Sequence, residues 1–307
     1  MNSKNLLVTG VSGHFGRAAA SYLLMDENLA RASHCIGTTR TPAAVENLAK
    51  ARMQIRFADF DLAESLFAAF QNSHRLLLVS TTGTSEKGQR VQQHRNAIGA
   101  AVGCGAEMVV YTSIQHHEGS LLAALSADHV ATERMLHDSP LAYRILRNAT
   151  YSEILLDVLP KAIFTGVLPT IRRTAGVAYI SRDDCAFAAT CALQNEHSGR
   201  ALLNITGSSA VTADELAHHV KHVFDVELQV DELSQDEYHN RMLSHGGDAN
   251  MAQILTYLEA GFASGAMSTV TTDFSELTSR SPGNVGDFMR LNKDEILKRV
   301  RAFGDKS

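Results

Sequence analysis

NLLVTGVSGHFGR, residues 5–17 of the 307-residue chain, joins an apolar run to a glycine-rich turn and the start of a helix. Gly10, Gly13 and Gly16 follow the run at a spacing of three. In such a unit the first glycine permits a sharp turn, the second lets backbone amides approach a pyrophosphate, and the third lets the helix pack against the strand. The amino end of that helix attracts phosphate. The motif predicts a dinucleotide-binding turn, with a sheet turn that binds no ligand as the alternative.

Short apolar runs alternate with amphipathic stretches through the first half of the chain. The runs that we interpret as strands are 6–9, 35–39, 54–57, 75–80, 108–112 and 143–146. The stretches that we interpret as helices are 17–29, 43–50, 62–70, 89–102 and 127–137. Apolar strands that alternate with helices are typical of a parallel sheet covered on both faces. We therefore predict an α/β fold with a Rossmann-type doubly wound parallel sheet.

The second half of the chain is less regular, and helical patterns dominate it. The elements expected there are helices at 182–194, 212–224 and 284–303 and a strand at 201–205. We therefore predict a smaller, mostly helical C-terminal substrate lobe that closes the cleft at the carboxyl ends of the strands. The expected domains are an NAD(P)-binding domain of residues 1–150 with 177–207 and a substrate-side lobe of residues 151–176 with 208–307.

Composition excludes several classes of protein. Hydrophobic residues make up 45% and charged residues 20% of the chain, unlike a disordered protein. The 28 basic and 33 acidic residues give a net charge of −5, so no global positive field is present to bind nucleic acid. The four cysteines are scattered without the paired spacing of a zinc or disulfide framework. We expect no nucleic-acid partner and no bound metal.

The start of the chain bears on its location in the cell. MNSKNLLVTG runs into the first expected strand without the pattern of a signal peptide. No apolar run reaches the length of about 18 residues that a membrane span needs. We therefore expect a cytoplasmic protein that has no membrane partner.

The end of the second expected strand indicates which cofactor is preferred. NAD-specific sites usually place an acidic side chain there to accept a hydrogen bond from the ribose 2′-hydroxyl. Here the run is Gly37-Thr38-Thr39-Arg40, which has no carboxylate. A guanidinium fork at Arg40 suits a 2′-phosphate through charge-assisted hydrogen bonds. The sequence therefore favours NADPH over NADH, with a solvated surface arginine as the alternative.

Six segments together resemble one known family. TGVSGHFG, TTRTP, FADFD, GQRVQQHRNAI, VVYTS and YRILRNATYSE are similar to the NmrA-like branch of the atypical short-chain dehydrogenases. Within that branch the order resembles the quinone oxidoreductase type 2 group and, nearly as well, the triphenylmethane reductases. The resemblance covers residues 5–207 firmly and the helical tail loosely. It implies a Rossmann fold, NADPH, and two-electron reduction of quinones or other conjugated planar acceptors without a flavin.

The resemblance also implies positions for the ligands, taken by motif match. The cofactor would contact the turn and the ends of the strands at Gly10, Val11, Ser12, Gly13, His14, Phe15, Gly16, Arg40, Asp59, Phe60, Ser80, Thr81, Thr82, Tyr111, Thr112, Ser113, Asn148, Ala149 and Thr150. Asp59 would border the adenine, and Tyr111 to Ser113 would lie near the nicotinamide. The acceptor would meet His117 and Tyr151 at the cleft, although a solvated loop is the alternative for His117.

The chain departs from typical short-chain dehydrogenases at the proton donor. These enzymes use a tyrosine and a lysine four residues later on a helix, whereas the nearest equivalents here are His129 and Glu133. Reduction of simple ketones needs a strong general acid and is not expected. A quinone is reduced to a stabilised phenolate, which water or a weak acid can protonate. His129 and Tyr151 are the candidate catalytic residues, and a helix-surface histidine without proton duty is the alternative for His129.

Two hypotheses for the function come from different classes. The first is an NADPH-dependent oxidoreductase that transfers hydride to a quinone-like small molecule. The second is a non-catalytic NADP(H)-binding redox sensor of the NmrA type, since such regulators share the fold and lack the tyrosine–lysine pair. The RNATYSE and QQHRN segments favour the reductase. The sequence leaves a monomer or a homodimer open.

Overall fold

The computed structural model describes residues 4–26, 34–81, 88–115, 123–172, 174–196, 199–244 and 249–304. Its strands are β1 Leu6–Thr9, β2 Cys35–Thr39, β3 Gln54–Phe57, β4 Arg75–Leu78, β5 Met108–Ile114, β6 Ala142–Asn148, β7 Val167–Ile171, β8 Ala201–Ile205 and β9 Gln229–Leu233. Seven of them form one sheet in the order β3-β2-β1-β4-β5-β6-β8, and every neighbouring pair is parallel. The predicted doubly wound parallel sheet is confirmed.

Helices cover both faces of this sheet and build the second lobe. They are α1 His14–Met25, α2 Glu46–Lys50, α3 Ala63–Phe70, α4 Gln89–Gly103, α5 Ala123–Asp138, α6 Leu155–Thr165, α7 Arg182–Gln194, α8 Ala213–Phe224, α9 Gln235–Ser244, α10 Ala249–Ala263, α11 Asp273–Thr278, α12 Val285–Leu291 and α13 Lys293–Gly304. One face packs on α1 and α7, and the other on α3, α4 and α5. No helix in these ranges is long and apolar enough to cross a bilayer.

The strands alternate their side chains between these two cores. On β5, Val110 packs with the residues of α1 and α7, whereas Val109 and Tyr111 pack with those of α3 to α5. All of these side chains are buried, because a parallel sheet has a helical layer on each face. The apolar runs in the sequence reflect this double burial.

The bounds of several helices differ from the sequence prediction. α1 covers His14–Met25 rather than 17–29, and its N-cap Gly13 has extended backbone angles. α5 begins at Ala123 rather than at residue 127. The helix expected over 284–303 is two helices, α12 and α13. The break falls at Asn292, whose side-chain amide donates to the Phe288 carbonyl oxygen at 2.8 Å and so ends α12.

The second lobe contains a two-stranded parallel sheet that the sequence pattern does not predict. β7 pairs with β9 from Val167 opposite Gln229 to Ile171 opposite Leu233. Pro169 lies inside β7, and a proline usually argues against a strand. β9 reads QVDEL and has no buried residue, so it lacks the apolar run of the central strands. The lobe has its own apolar core, which includes Leu159, Val220 and Met289.

One segment of the lobe is tied to the carboxyl edge of the large sheet by hydrogen bonds. We call residues 268–273 the edge segment. Its Thr269 carbonyl oxygen accepts from Gln115 Nε2 at 3.3 Å, just beyond β5. Thr271 donates its hydroxyl to the Asn204 carbonyl oxygen at 2.6 Å, and Asp273 Oδ2 accepts from the Asn204 backbone N–H at 2.6 Å. The edge segment therefore keeps a fixed position against β5 and β8.

Candidate active site

The glycine-rich turn has the geometry that its sequence predicts. Gly10 adopts a φ of +64°, which side chains other than glycine rarely tolerate. A Cβ on Gly16 would lie 2.4 Å from the Gly10 carbonyl oxygen and 2.8 Å from that of Thr9. The third glycine is therefore required for α1 to pack against the end of β1. Gly13 is exposed, and a Cβ there would meet only the Gly10 carbonyl oxygen, at 3.4 Å.

The amino end of α1 is suited to an anion. No side chain caps it, and its first turn contains no acidic residue. By contrast, Ser181, Thr212 and Asn284 cap the helices that follow them. An uncapped helix end leaves backbone N–H groups free for phosphate oxygens. This end of α1, together with the turn, fits the pyrophosphate of a dinucleotide.

The end of β2 lies beside the turn and carries Arg40. Thr39 Oγ1 donates to Ser12 Oγ at 2.9 Å and links the two segments. Arg40 directly follows the last residue of β2, and its side chain is exposed. Asp59 and Phe60 follow β3, the next strand outward, and both are half-buried. This arrangement brings the residues predicted for the adenine side of the cofactor to the same sheet edge as the turn.

The chain continues from β4 to Ser80 and Thr81. The Ser80 backbone N–H donates to Thr112 Oγ1 at 2.8 Å, so the ends of β4 and β5 are joined. The Thr81 backbone N–H donates to His94 Nε2 at 3.2 Å. His94 lies on α4 inside the QQHRN segment and was not assigned a role from the sequence. Thr82, predicted to follow along the cofactor, lies outside the described residues.

Tyr111 and His129 form a buried pair behind the end of β5. The Tyr111 hydroxyl and His129 Nδ1 are 2.8 Å apart, and both side chains are buried. Burial raises the pKa of Tyr111 above its usual value. The alternative of a surface histidine for His129 is wrong, because α5 presents this residue to the sheet. The Tyr111 hydroxyl is held by the protein rather than left open to the cleft.

Glu133 occupies the helix position of the missing lysine. Its negative charge is compensated by a neighbouring arginine. Its carboxylate accepts from Arg147 Nε at 3.0 Å and Nη2 at 2.6 Å, and from Ser113 Oγ at 2.6 Å. Ser113 and Arg147 are directly opposite each other on β5 and β6. The sequence predicts roles for Ser113 and Glu133, but not their pairing with Arg147. An arginine one position before Asn148 was the available signal.

Asn148 and Tyr151 meet where β6 opens toward the lobe. Asn148 Nδ2 donates to the Tyr151 hydroxyl at 3.0 Å, and burial raises the pKa of that hydroxyl. Arg182 lies over the Tyr151 ring, with its guanidinium carbon 5.3 Å from the ring centroid. Asn148 Oδ1 and Gln115 Oε1 are buried without a hydrogen-bond partner in the described structure. Two such acceptors suit a donor group such as a carboxamide N–H₂.

The two predicted residues that follow β6 are held through their backbones. The Ala149 N–H donates to the Ile205 carbonyl oxygen at 2.9 Å, and the Thr150 carbonyl oxygen accepts from the Ile180 N–H at 3.0 Å. These bonds connect the end of β6 with β8 and with the segment before α7. The predicted acceptor residue His117 lies outside the described residues.

Two further features carry no sign of a site. His218 and His222, at i and i+4 on α8, are exposed and bonded to each other with their Nε2 atoms 2.8 Å apart. Within the described ranges no group of three or more histidine, cysteine or acidic side chains could hold a metal. A cavity beside Tyr179 and Phe262 in the second lobe has a volume of about 30 Å³, which is room for one or two waters and too small for a ring-sized acceptor.

Comparisons with known proteins agree with this geometry. No family model matches the sequence. The chain is 31% identical over 273 residues to quinone oxidoreductase 2 of Escherichia coli, covering 89% of this chain and 93% of that protein. The crystal structure of the NADPH-dependent quinone oxidoreductase of Escherichia coli in complex with NADPH superimposes with a TM-score of 0.84 at 29% identity, over 92% of this chain and 98% of that one.

A second solved structure, of a reductase named for a different substrate, is also similar to this chain. The triphenylmethane reductase of Citrobacter sp. in complex with NADP(H) has a TM-score of 0.84 at 25% identity, over 96% of this chain and 99% of that one. The resemblance drawn from the six sequence segments is confirmed. The chain belongs to the NmrA-like family of atypical short-chain dehydrogenases, in the group of quinone oxidoreductase 2.

Proposed function

We propose that this chain is an NADPH-dependent oxidoreductase that reduces quinones or similar conjugated planar acceptors without a flavin. The observation that carries the proposal is the likeness to the NADPH-bound quinone oxidoreductase, which spans nearly the whole of both chains. The uncapped amino end of α1 and the exposed Gly13 supply the phosphate site that this cofactor needs. The alternative of a non-catalytic sensor predicts binding without turnover, so activity separates the two.

Several residues of this chain would hold NADPH, whose dihydronicotinamide supplies a hydride when it is bound. The turn from Gly10 to Gly16 takes the pyrophosphate, and Arg40 takes the 2′-phosphate. Ser80, Thr81 and Thr112 border the groove beyond the turn. The buried oxygens of Asn148 and Gln115 would orient the carboxamide of the nicotinamide ring. These residues bind and orient two planar molecules, and positioning of this kind can supply most of a rate enhancement.

The proton chemistry of the site favours an acceptor that needs no strong acid. His129 is committed to Tyr111, and Glu133 is committed to Ser113 and Arg147. Burial raises the pKa of both Tyr111 and Tyr151, which makes each a weaker acid. A ketone reduced at this site would form an alkoxide at its oxygen, and no effective proton donor among the described residues is placed to protonate it. A reduced quinone carries its charge on a stabilised phenolate, which water protonates.

Loss of NADPH absorbance, followed against a panel of acceptors, tests this function. Quinones and cationic triarylmethane dyes should be turned over, whereas a simple ketone such as cyclohexanone should react poorly or not at all. Binding of NADPH with no turnover of any acceptor in the panel would favour the sensor.

His129→Ala should slow quinone reduction far less than the roughly 10²–10⁴-fold expected for loss of a general acid. The physical reason is that His129 Nδ1 is already bonded to the buried Tyr111 hydroxyl. A deuterated cofactor should show a primary isotope effect when hydride transfer limits the rate. Tyr151→Phe is the companion variant, because Tyr151 is the other candidate catalytic residue. Ketone reduction that collapses in His129→Ala would assign ordinary carbonyl reduction instead.

Arg40→Ala should weaken NADPH binding by roughly ten- to a hundredfold, since a charge-assisted hydrogen bond is worth about 1.5–3 kcal/mol. NADH, which has no 2′-phosphate, should bind with little change. Calorimetric titration of both cofactors measures the effect. Arg134→Ala removes an exposed arginine from α5 and is the charge-matched control. Equal losses for NADPH and NADH would refute the role of Arg40.

A further inference from the structure

Two side chains of α4 hold the backbone of Thr81 from opposite sides. His94 Nε2 accepts a hydrogen bond from the Thr81 N–H at 3.2 Å, and Arg90 Nε donates to the Thr81 carbonyl oxygen at 2.9 Å. We propose that this pair, the Thr81 clamp, is a positioning device that fixes one wall of the cofactor groove. The proposal rests on the proposed function for the identity of the cofactor.

The protonation of His94 follows from its partners. The Thr132 hydroxyl donates to the Asp128 carbonyl oxygen at 2.7 Å, so its oxygen accepts from His94 Nδ1–H at 2.8 Å. The proton therefore sits on Nδ1, and Nε2 is left with a lone pair for the Thr81 N–H. Burial, with further contributions from the nearby His129 and Arg90, lowers the pKa of His94 to about 3. The ring stays neutral, and it acts only as a fixed acceptor.

Thr81 lies at the place in the sheet where a dinucleotide binds. β4 is next to β1, at the point where the strand order reverses, and ligands of such sheets bind at the carboxyl ends of the strands there. Thr81 follows β4 at that edge, across from the glycine turn that follows β1. Because both main-chain groups of Thr81 are held by α4, this wall is ordered before a ligand arrives. Ordering in advance reduces the entropy lost on binding.

Two substitutions of His94 separate its two hydrogen bonds. His94→Gln places an amide oxygen near the position of Nε2 and retains an acceptor for Thr81. His94→Asn places its amide near Nδ1, which retains the bond to Thr132 but leaves the Thr81 N–H without an acceptor. His94→Asn should weaken NADPH binding about tenfold, equivalent to about 1.4 kcal/mol, whereas His94→Gln should bind close to wild type.

A second measurement, made on the protein without cofactor, accompanies the titration of NADPH binding. Hydrogen exchange of the Thr81 amide in the free protein should be about tenfold faster in His94→Asn and unchanged in His94→Gln. Thr190→Val is the control for general damage. It removes another buried threonine hydroxyl, which donates to the Ala186 carbonyl oxygen at 2.9 Å on α7, so it should lower the melting temperature without changing Thr81 exchange or NADPH affinity.

The outcomes are distinct. Selective loss of affinity and of Thr81 protection in His94→Asn supports the clamp. NADPH affinity that is unchanged in His94→Asn, or reduced equally in His94→Asn, His94→Gln and Thr190→Val, overturns it. A wild-type chain that fails to bind NADPH overturns the proposed function, and Thr81 exchange then reports separately on whether the backbone contact exists.

Discussion

Gly13→Val is expected to abolish NADPH binding while the protein stays folded. Gly13 is exposed at the amino end of α1 and has φ −82° and ψ 164°, angles that any residue adopts. The branched side chain would cover the backbone amides that the pyrophosphate must reach. Losing two hydrogen bonds to a charged group, at about 1.5–3 kcal/mol each, corresponds to about a hundredfold or more in affinity. Calorimetric titration measures the loss, and circular dichroism checks the fold.

Gly16→Ala is the matched variant in the same turn. Its Cβ would lie 2.4 Å from a backbone oxygen, so the turn or α1 must move. Forcing atoms into a packed site costs about 1–3 kcal/mol, and here the neighbour is main chain rather than a movable side chain. We therefore expect a lower melting temperature for Gly16→Ala and an unchanged one for Gly13→Val. Normal NADPH affinity in Gly13→Val would mean that the turn is structural only.

Glu133→Ala is expected to destabilise the protein by about 2–4 kcal/mol. The substitution leaves Arg147 without its partner, and the two side chains are only 10% and 23% exposed. Removing one member of a fully buried pair costs about 3–5 kcal/mol, and the partial exposure of Arg147 reduces that figure. Thermal unfolding should show a fall of roughly 5–10 °C.

Glu295→Ala provides the comparison for that experiment. Glu295 pairs with Arg299 on α13 at 2.8 Å, where the side chains are 44% and 40% exposed. Exposed pairs of this kind contribute little to stability, because solvent screens the two charges. A Glu133→Ala variant no less stable than Glu295→Ala would show that the Ser113–Glu133–Arg147 cluster is not a buried ion pair in solution.

The central sheet could be predicted from the sequence because its strands are buried on both faces. Runs such as Leu6–Thr9 and Cys35–Thr39 are apolar or small throughout, and the structure confirms their bounds. β7 and β9 gave no such signal, since they form a small sheet at the edge of the second lobe with a proline in one strand and polar residues in the other. A strand that is buried on both faces has a continuous apolar run in the sequence, whereas a strand that is buried on one face has a weaker hydrophobic pattern.

The candidate site was predictable where it depends on backbone shape. Glycines at a fixed spacing predict a turn directly, and Arg40 is the residue that follows the run predicted as the second strand. His94 was missed because its role depends on Thr132 and Asp128, which come from another helix about forty positions along the chain. The burial of His129 was likewise missed, since the 3.6-residue pattern of α5 does not say which face meets the sheet. Contacts between helices distant in sequence are set by tertiary packing.

The hydrogen bonds of the edge segment bear on any attempt to redesign the acceptor range of this protein. Thr269, Thr271 and Asp273 are joined to the ends of β5 and β8. Randomising this segment would disturb the sheet together with the cleft, so a mutant library aimed there would lose folded members first. α9 and α10 are bonded to the small sheet, through Arg241 with Asp231 and through Glu259 with Thr170, and are the better place for diversification. Libraries that spare 268–273 should therefore retain more soluble, cofactor-binding clones.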